Sequence, residues 1–192
     1  MTSVSNWGIL FQNKNVLVHT PPQTPFAGVP KDEEPLICLL GVDLGTSGTK
    51  TVLFDAEGRE VASQSVEYPL YQPQNGWAEQ DPRDWWNAAV GTIRGVLDKS
   101  GVAPGDVKGL GISGQMHGLV LLDENGEPLG RSLLWCDGRT QRECDEITQA
   151  VGEKRLIEIA ANPALTGFTA GKILWVRRHQ PELFARARHA LL

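Results

Sequence analysis

The sequence predicts an α/β protein of the α+β kind, in which helices cover the faces of a mixed sheet. Three observations carry this. Strand-like segments crowd the chain from residue 36 to about residue 135, helical patterns take over after Thr140, and one capped amphipathic helix divides the strands into two groups.

The first group reads as an antiparallel meander. A strand runs from Leu36 through Val42 and breaks at Gly45-Thr46-Ser47-Gly48. Thr51-Val52-Leu53-Phe54 resumes the pattern, Asp55-Ala56-Glu57-Gly58 turns the chain, and a third strand follows from Val61 to Tyr68. Tyr71 to Glu79 is turn-rich, with Pro73, Asn75-Gly76 and Trp77. A helix then opens with Asp81 as N-cap, Pro82 at the first helical position and Asp84 three residues after the cap. Trp85, Trp86, Ala89, Val90, Ile93, Val96 and Leu97 recur at helical spacing, which predicts an apolar face on the sheet and core packing for both tryptophans. Ser100-Gly101 with Pro104-Gly105 ends it.

Gly109, Gly111 and Gly114 match the spacing of a dinucleotide fingerprint. That motif opens a helix, whereas Leu119 to Leu122 here continues as a strand into the turn Asp123 to Gly126. The reading is a buried strand end over Leu110 to Ser113, presenting Gln115, Met116 and His117 at the edge of a cleft. Arg131 to Trp135 is a further short strand, ended by Cys136-Asp137-Gly138-Arg139. Helices are predicted over Arg142 to Ala150 and Glu153 to Ala160, then one capped by Thr169 and one starting at Pro181. His189 to Leu192 is an apolar run without a stop signal and reads as a chain cut in mid-fold.

Composition removes several classes. With 192 residues and 41% hydrophobic content, the chain can bury a core without staples. Lys plus Arg number 18 against 23 for Asp plus Glu, and no basic patch is present to track nucleic acid. Cys38, Cys136 and Cys144 lack metal-site spacing, sit in apolar or helical contexts and suit reduced buried thiols in a cytoplasmic protein. No run has the length of a membrane span, and the N-terminus lacks a secretion-signal layout. Residues 1–35, rich in Asn, Thr and Pro, are expected to be a poorly ordered extension, with residues 36–192 forming the domain.

The chemistry centres on Gly41 to Lys50. A lone carboxylate, Asp43, ends an apolar run and precedes glycines and short hydroxyls, a combination that suits a phosphate and its Mg2+. A P-loop would need glycine immediately before Lys-Thr and a helix after it; Thr49 stands before Lys50-Thr51 and a strand follows. Asp43 with Gly45, Thr46, Ser47 and Lys50 can therefore hold phosphates in another frame. Gln115, Met116, His117, Trp135 and Asp137 mix polar groups with apolar surface in the way that orients a small polyol or sugar. A lone histidine is more often structural, and Asp137-Gly138-Arg139 also reads as an internal salt bridge worth little on its own.

Five stretches in order, DLGTSGTK at 43–50, GWAEQDP at 76–82, GISGQMHG at 111–118, LLWCDGRT at 133–140 and GFTAGKILWVRRHQPE at 167–182, resemble the N-terminal part of the xylulokinase group in the FGGY carbohydrate kinase family. GQMHG resembles that group more than the glycerol, ribulose or gluconate kinases. The resemblance implies an actin-like, ribonuclease-H-like ATPase fold, with the first hairpin at the nucleotide phosphates and a deep cleft between two domains. It implies ATP and Mg2+, a ketose acceptor, D-xylulose, converted to its 5-phosphate, and a homodimer for the full-length enzyme. Carried over, Asp43 matches the acidic residue at the metal-linked phosphate, Thr46 and Ser47 match phosphate-loop residues, and Met116 with His117 match the ketose-binding pair. The family's general base, a second aspartate, and its adenine-binding domain belong to segments downstream of these motifs. The 192-residue chain is accordingly expected to be a fragment without useful catalysis. The competing readings are a non-catalytic sugar-binding module, a truncated gene product, and an actin-type or chaperone-type ATPase, which shares the hairpin but leaves GQMHG without a role.

Overall fold

β1 (Cys38–Leu44), β2 (Gly48–Phe54) and β3 (Glu60–Glu67) form the expected meander, β1 antiparallel to β2 and β2 antiparallel to β3. The structure is a computed structural model that describes residues 37–192. The extension expected over residues 1–35 lies outside the described residues. β4 (Glu79–Gln80) leads into α1 (Pro82–Ser100), and β5 (Val107–Ser113) returns parallel to β1, giving the order β3-β2-β1-β5. Parallel pairing of β1 and β5 requires a crossover, and α1 lies within it.

α1 starts and stops where the local chemistry dictates. The Asp81 carboxylate accepts from the Arg83 N–H, Pro82 occupies the first turn, and Gly101 closes the helix at φ 68°, its N–H on the Leu97 carbonyl. The inward row is Ala88, Thr92 and Val96, whereas Trp86 is 59% exposed, contrary to the core packing expected of it. Small residues let the helix approach β2 and β3 closely, and the Thr92 hydroxyl bonds the buried Thr51 hydroxyl at 2.7 Å. Cys38, Leu40, Leu53, Val96 and Val107 form the core beneath it. The end of β5 is not buried as expected: Ile112 is 68% exposed, because α1 covers β2 and β3 and leaves β5 at the edge.

A second layer follows. β6 (Val120–Leu122) pairs with β8 (His189–Leu191), and β7 (Ser132–Leu133) pairs with β4. The apolar run at 189–191 is thus a paired strand, a fact that local pattern could not supply. α2 (Gln141–Val151), α3 (Glu153–Ala160), α4 (Thr169–His179) and α5 (Pro181–Arg186) complete the described residues. Leu119, Leu121, Leu133, Trp175 and Val176 make the second core, which fixes α4 against β6 and β7. Phe168, not Thr169, is the N-cap of α4; Thr169 is its first residue. No described helix is long and apolar enough to cross a membrane.

Candidate functional site

Alternation along β1 sends Cys38, Leu40 and Val42 into the core and places Asp43 on the other face, exposed. Its neighbours across the ladder are Lys50 on β2 and Ser113 on β5. Among the described residues no ion pair joins Asp43 to Lys50, and no three metal-ligating side chains gather into a cage. One exposed carboxylate beside short hydroxyls fits Mg2+, which keeps several waters and is commonly held by one or two carboxylates plus substrate phosphates.

The turn Gly45–Ser47 joins β1 to β2, and all three of its carbonyls are occupied. Tyr68 Oη donates to the Gly45 carbonyl at 2.6 Å and Gln115 Nε2 reaches the same oxygen at 3.3 Å. Gln80 Nε2 donates to the Thr46 carbonyl at 2.6 Å, and the Tyr68 N–H to the Ser47 carbonyl at 3.4 Å. Among the described residues, no protein acceptor takes the N–H of Thr46 or Ser47. The turn thus keeps donors available to an anion while its acceptors are engaged. Burial, with the Asp43 charge adding to it, holds the Tyr68 phenol above its ordinary pKa, so it stays protonated and donates. Gly48 has a packing reason for being glycine: a Cβ there would stand 2.6 Å from the Val66 carbonyl oxygen.

Gln80 is the residue that sequence reasoning missed. It is 0% exposed, and besides holding Thr46 it accepts from Trp85 Nε1 at 3.1 Å and from Gln115 Nε2 at 2.9 Å. It therefore connects the Gly45–Ser47 turn, α1 and the Gln115 turn. The available signal was a polar residue inside GWAEQDP, directly before the Asp81 cap. Trp135 joins the same cluster, its Nε1 donating to Thr46 Oγ1 at 3.3 Å. Gln115 and Trp135 are thus brought to the Gly45–Ser47 turn.

Met116 is 56% exposed, and His117 is exposed with φ 57°, left-handed and costly for a non-glycine residue by about 1–2 kcal/mol. The His117 carbonyl accepts from Lys172 Nζ at 2.8 Å and Thr169 Oγ1 at 3.2 Å, and its ring packs edge-on to Phe168 at 4.5 Å. Lys172 is fully buried and also donates to the Gly167 carbonyl. Burial pulls its pKa down to about 8, with Asp137, Cys136 and Cys144 opposing that shift. Gly167 packs so tightly that a Cβ would meet the Trp135 carbonyl oxygen at 2.8 Å.

Asp137 does not face a cleft. It is 1% exposed, and its carboxylate accepts from the Ala78 N–H at 2.7 Å, the Arg139 N–H at 3.0 Å, and Arg139 Nε and Nη2 at 2.9 and 2.7 Å. Arg139 also reaches Glu79 at 2.8 Å and lies over the Trp77 ring at 3.7 Å. With its acceptor sites filled by the protein, Asp137 is the clamp of an internal salt bridge, the alternative its sequence context left open.

Residues 38–192 match the model of the FGGY family of carbohydrate kinases, N-terminal domain. The chain is 42% identical over 154 residues to a xylulose kinase of Bacillus subtilis (strain 168), and 42% identical over 153 residues to a xylulose kinase of Escherichia coli (strain K12). Each alignment covers 80% of this chain and 31% of the relative, so the chain spans about a third of the length of these relatives. Among solved structures, a xyloylose kinase from Brucella ovis superposes with a TM-score of 0.75 at 37% identity, over 81% of this chain and 32% of that one. The mixed-sheet, actin-like architecture expected from the sequence is the one these sugar kinases share.

Proposed function

The chain belongs to the FGGY family of carbohydrate kinases, and from that premise we propose that it forms the phosphate-binding and sugar-facing wall of an ATP-dependent kinase acting on D-xylulose. One observation carries the reading. The Gly45–Ser47 turn has its carbonyls occupied and, among the described residues, the N–H groups of Thr46 and Ser47 without protein acceptors, and it is tied by hydrogen bonds to Gln115 and Trp135. The xylulose kinases named above, at 42% identity, support the choice of ketose.

Phosphoryl transfer depends on holding phosphates, placing positive charge and aiming the acceptor hydroxyl. In this reading the N–H groups and hydroxyls of Thr46 and Ser47, with Gly45 and Lys50, take the phosphates. Asp43 would hold Mg2+ through water, and the ion when bound offsets charge on the phosphoryl oxygens. Gln115, Met116, His117 and Trp135 orient the ketose. Asp137 positions the wall through Arg139 and Ala78 and makes no contact with sugar. None of the described aspartates is assigned the base that takes the sugar proton.

Calorimetry on the 192-residue chain tests the reading. D-xylulose is expected to bind wild type and Asp43→Asn alike, whereas Mg-ATP binding is lost in Asp43→Asn. A folded chain that binds neither ligand sinks the assignment. Turnover of D-xylulose by this chain alone, on the order of 1–10³ per second, would show that it carries its own base.

A further inference from the structure

The start of α4 carries a buried cation that the proposed reaction does not use. Phe168, Thr169 and Lys172 lie within one turn of that helix, and all three meet His117: the Phe168 ring at 4.5 Å, Thr169 Oγ1 at 3.2 Å and Lys172 Nζ at 2.8 Å. Lys172 is 0% exposed, and no salt bridge joins it to a carboxylate among the described residues. Two of its three hydrogens go to main-chain carbonyls, those of His117 and Gly167. Burying an ammonium is costly, so spending it on a carbonyl has a use only where the orientation of that peptide matters.

It matters at His117. Here the chain leaves β5, turns through Gln115 and Met116, and adopts φ 57° at a residue bearing a full side chain. Such a conformation persists when its surroundings over-determine it. The determinants all come from α4, itself fixed by Trp175 and Val176 in the second core, while Gln115 on the other side of the turn is fixed by Gln80 and the Gly45 carbonyl. Met116 and His117 therefore stand between two anchored points.

We propose that Lys172 is a positioning residue for this turn: with Thr169 it holds His117 in the left-handed conformation, and so sets how Met116 and His117 meet the sugar. The second half rests on the function proposed above; the first half does not.

The test uses Lys172→Met and Thr169→Val in the 192-residue chain, with two readouts. Backbone chemical shifts and the HN–Hα coupling of His117 report its φ, and calorimetry with D-xylulose reports affinity. Lys172→Met is expected to release His117 from the left-handed region and weaken D-xylulose about tenfold or more, and Thr169→Val about threefold, with Mg-ATP binding unchanged. A folded Lys172→Met chain that keeps His117 left-handed overturns the proposal. So does a release of His117 that leaves sugar affinity at the wild-type value. Should Lys172→Met fail to fold, Thr169→Val decides alone: unchanged φ and affinity there refute the lock. A wild-type chain that binds no D-xylulose refutes the functional reading, and the backbone measurement then judges the role of Lys172.

Discussion

Replacing Gln80 by alanine should loosen three elements at once. Its side chain donates to the Thr46 carbonyl at 2.6 Å and accepts from Trp85 Nε1 at 3.1 Å and Gln115 Nε2 at 2.9 Å. Each bond contributes about 1 kcal/mol net, and leaving a partner without water costs more, so about 3–4 kcal/mol is expected for Gln80→Ala. Trp85 and Gln115 are only half-buried and recover some solvent, which keeps the figure from rising further. For a chain of this size that is a lowering of the urea midpoint by about 1–2 M at constant slope, followed by tryptophan emission. Gln80→Glu refines the test. It retains both acceptor bonds and loses only the donor to Thr46, so it should cost about 2 kcal/mol at neutral pH and less where the new carboxyl is protonated. A cost below about 1 kcal/mol for Gln80→Ala would refute the idea that this glutamine holds the Gly45–Ser47 turn in place.

Lys172 gives stability a pH dependence. Its pKa falls from 10.5 to about 8 in the folded chain. Below pH 8 both states carry the charge and the burial cost is fully present; between pH 8 and 10.5 only the unfolded state keeps the proton, so stability rises with pH. Urea unfolding should show a gain of about 2 kcal/mol between pH 7.5 and 9.5 relative to Lys172→Met, and parallel pH profiles would contradict it. Asp137→Asn removes the charge that pairs with Arg139 in a site where that side chain is 1% exposed, at a cost of about 3 kcal/mol, the lower end for such pairs because Glu79 still reaches Arg139. Chemical denaturation of that variant, with D-xylulose calorimetry alongside, separates a clamp from a ligand: unchanged stability with lost sugar affinity would restore Asp137 to the sugar site.

Local signals in the sequence carried much of this protein. Alternation in β1 and β2, the break at Gly45–Ser47, and the Asp81-Pro82 start and Gly101 stop of α1 are each set by residues within a few positions of one another, so their physics is readable in order. The period alone placed Val96, Ile93 and Leu97 of α1 correctly at the core but missed Ala88 and Thr92 and put Trp86 there; Thr92 bonds Thr51, 41 residues away, and Trp86 is 59% exposed. The same limit hid the pairing of β8 with β6 and left the clamp at Asp137 as one of two open readings.

By itself, then, the sequence determined the hairpin, the capped helix and the residue types gathered at the candidate site, all products of short-range sterics and hydrogen bonding. Only the tertiary structure decided which of those residues share a hydrogen-bonded cluster. Gln115 reaches Gly45 across 70 positions, Trp135 reaches Thr46 across 89, and Lys172 reaches His117 across 55. A hydrogen bond acts over about 3 Å and has no memory of chain separation, so these partners become visible only when packing has brought their elements together.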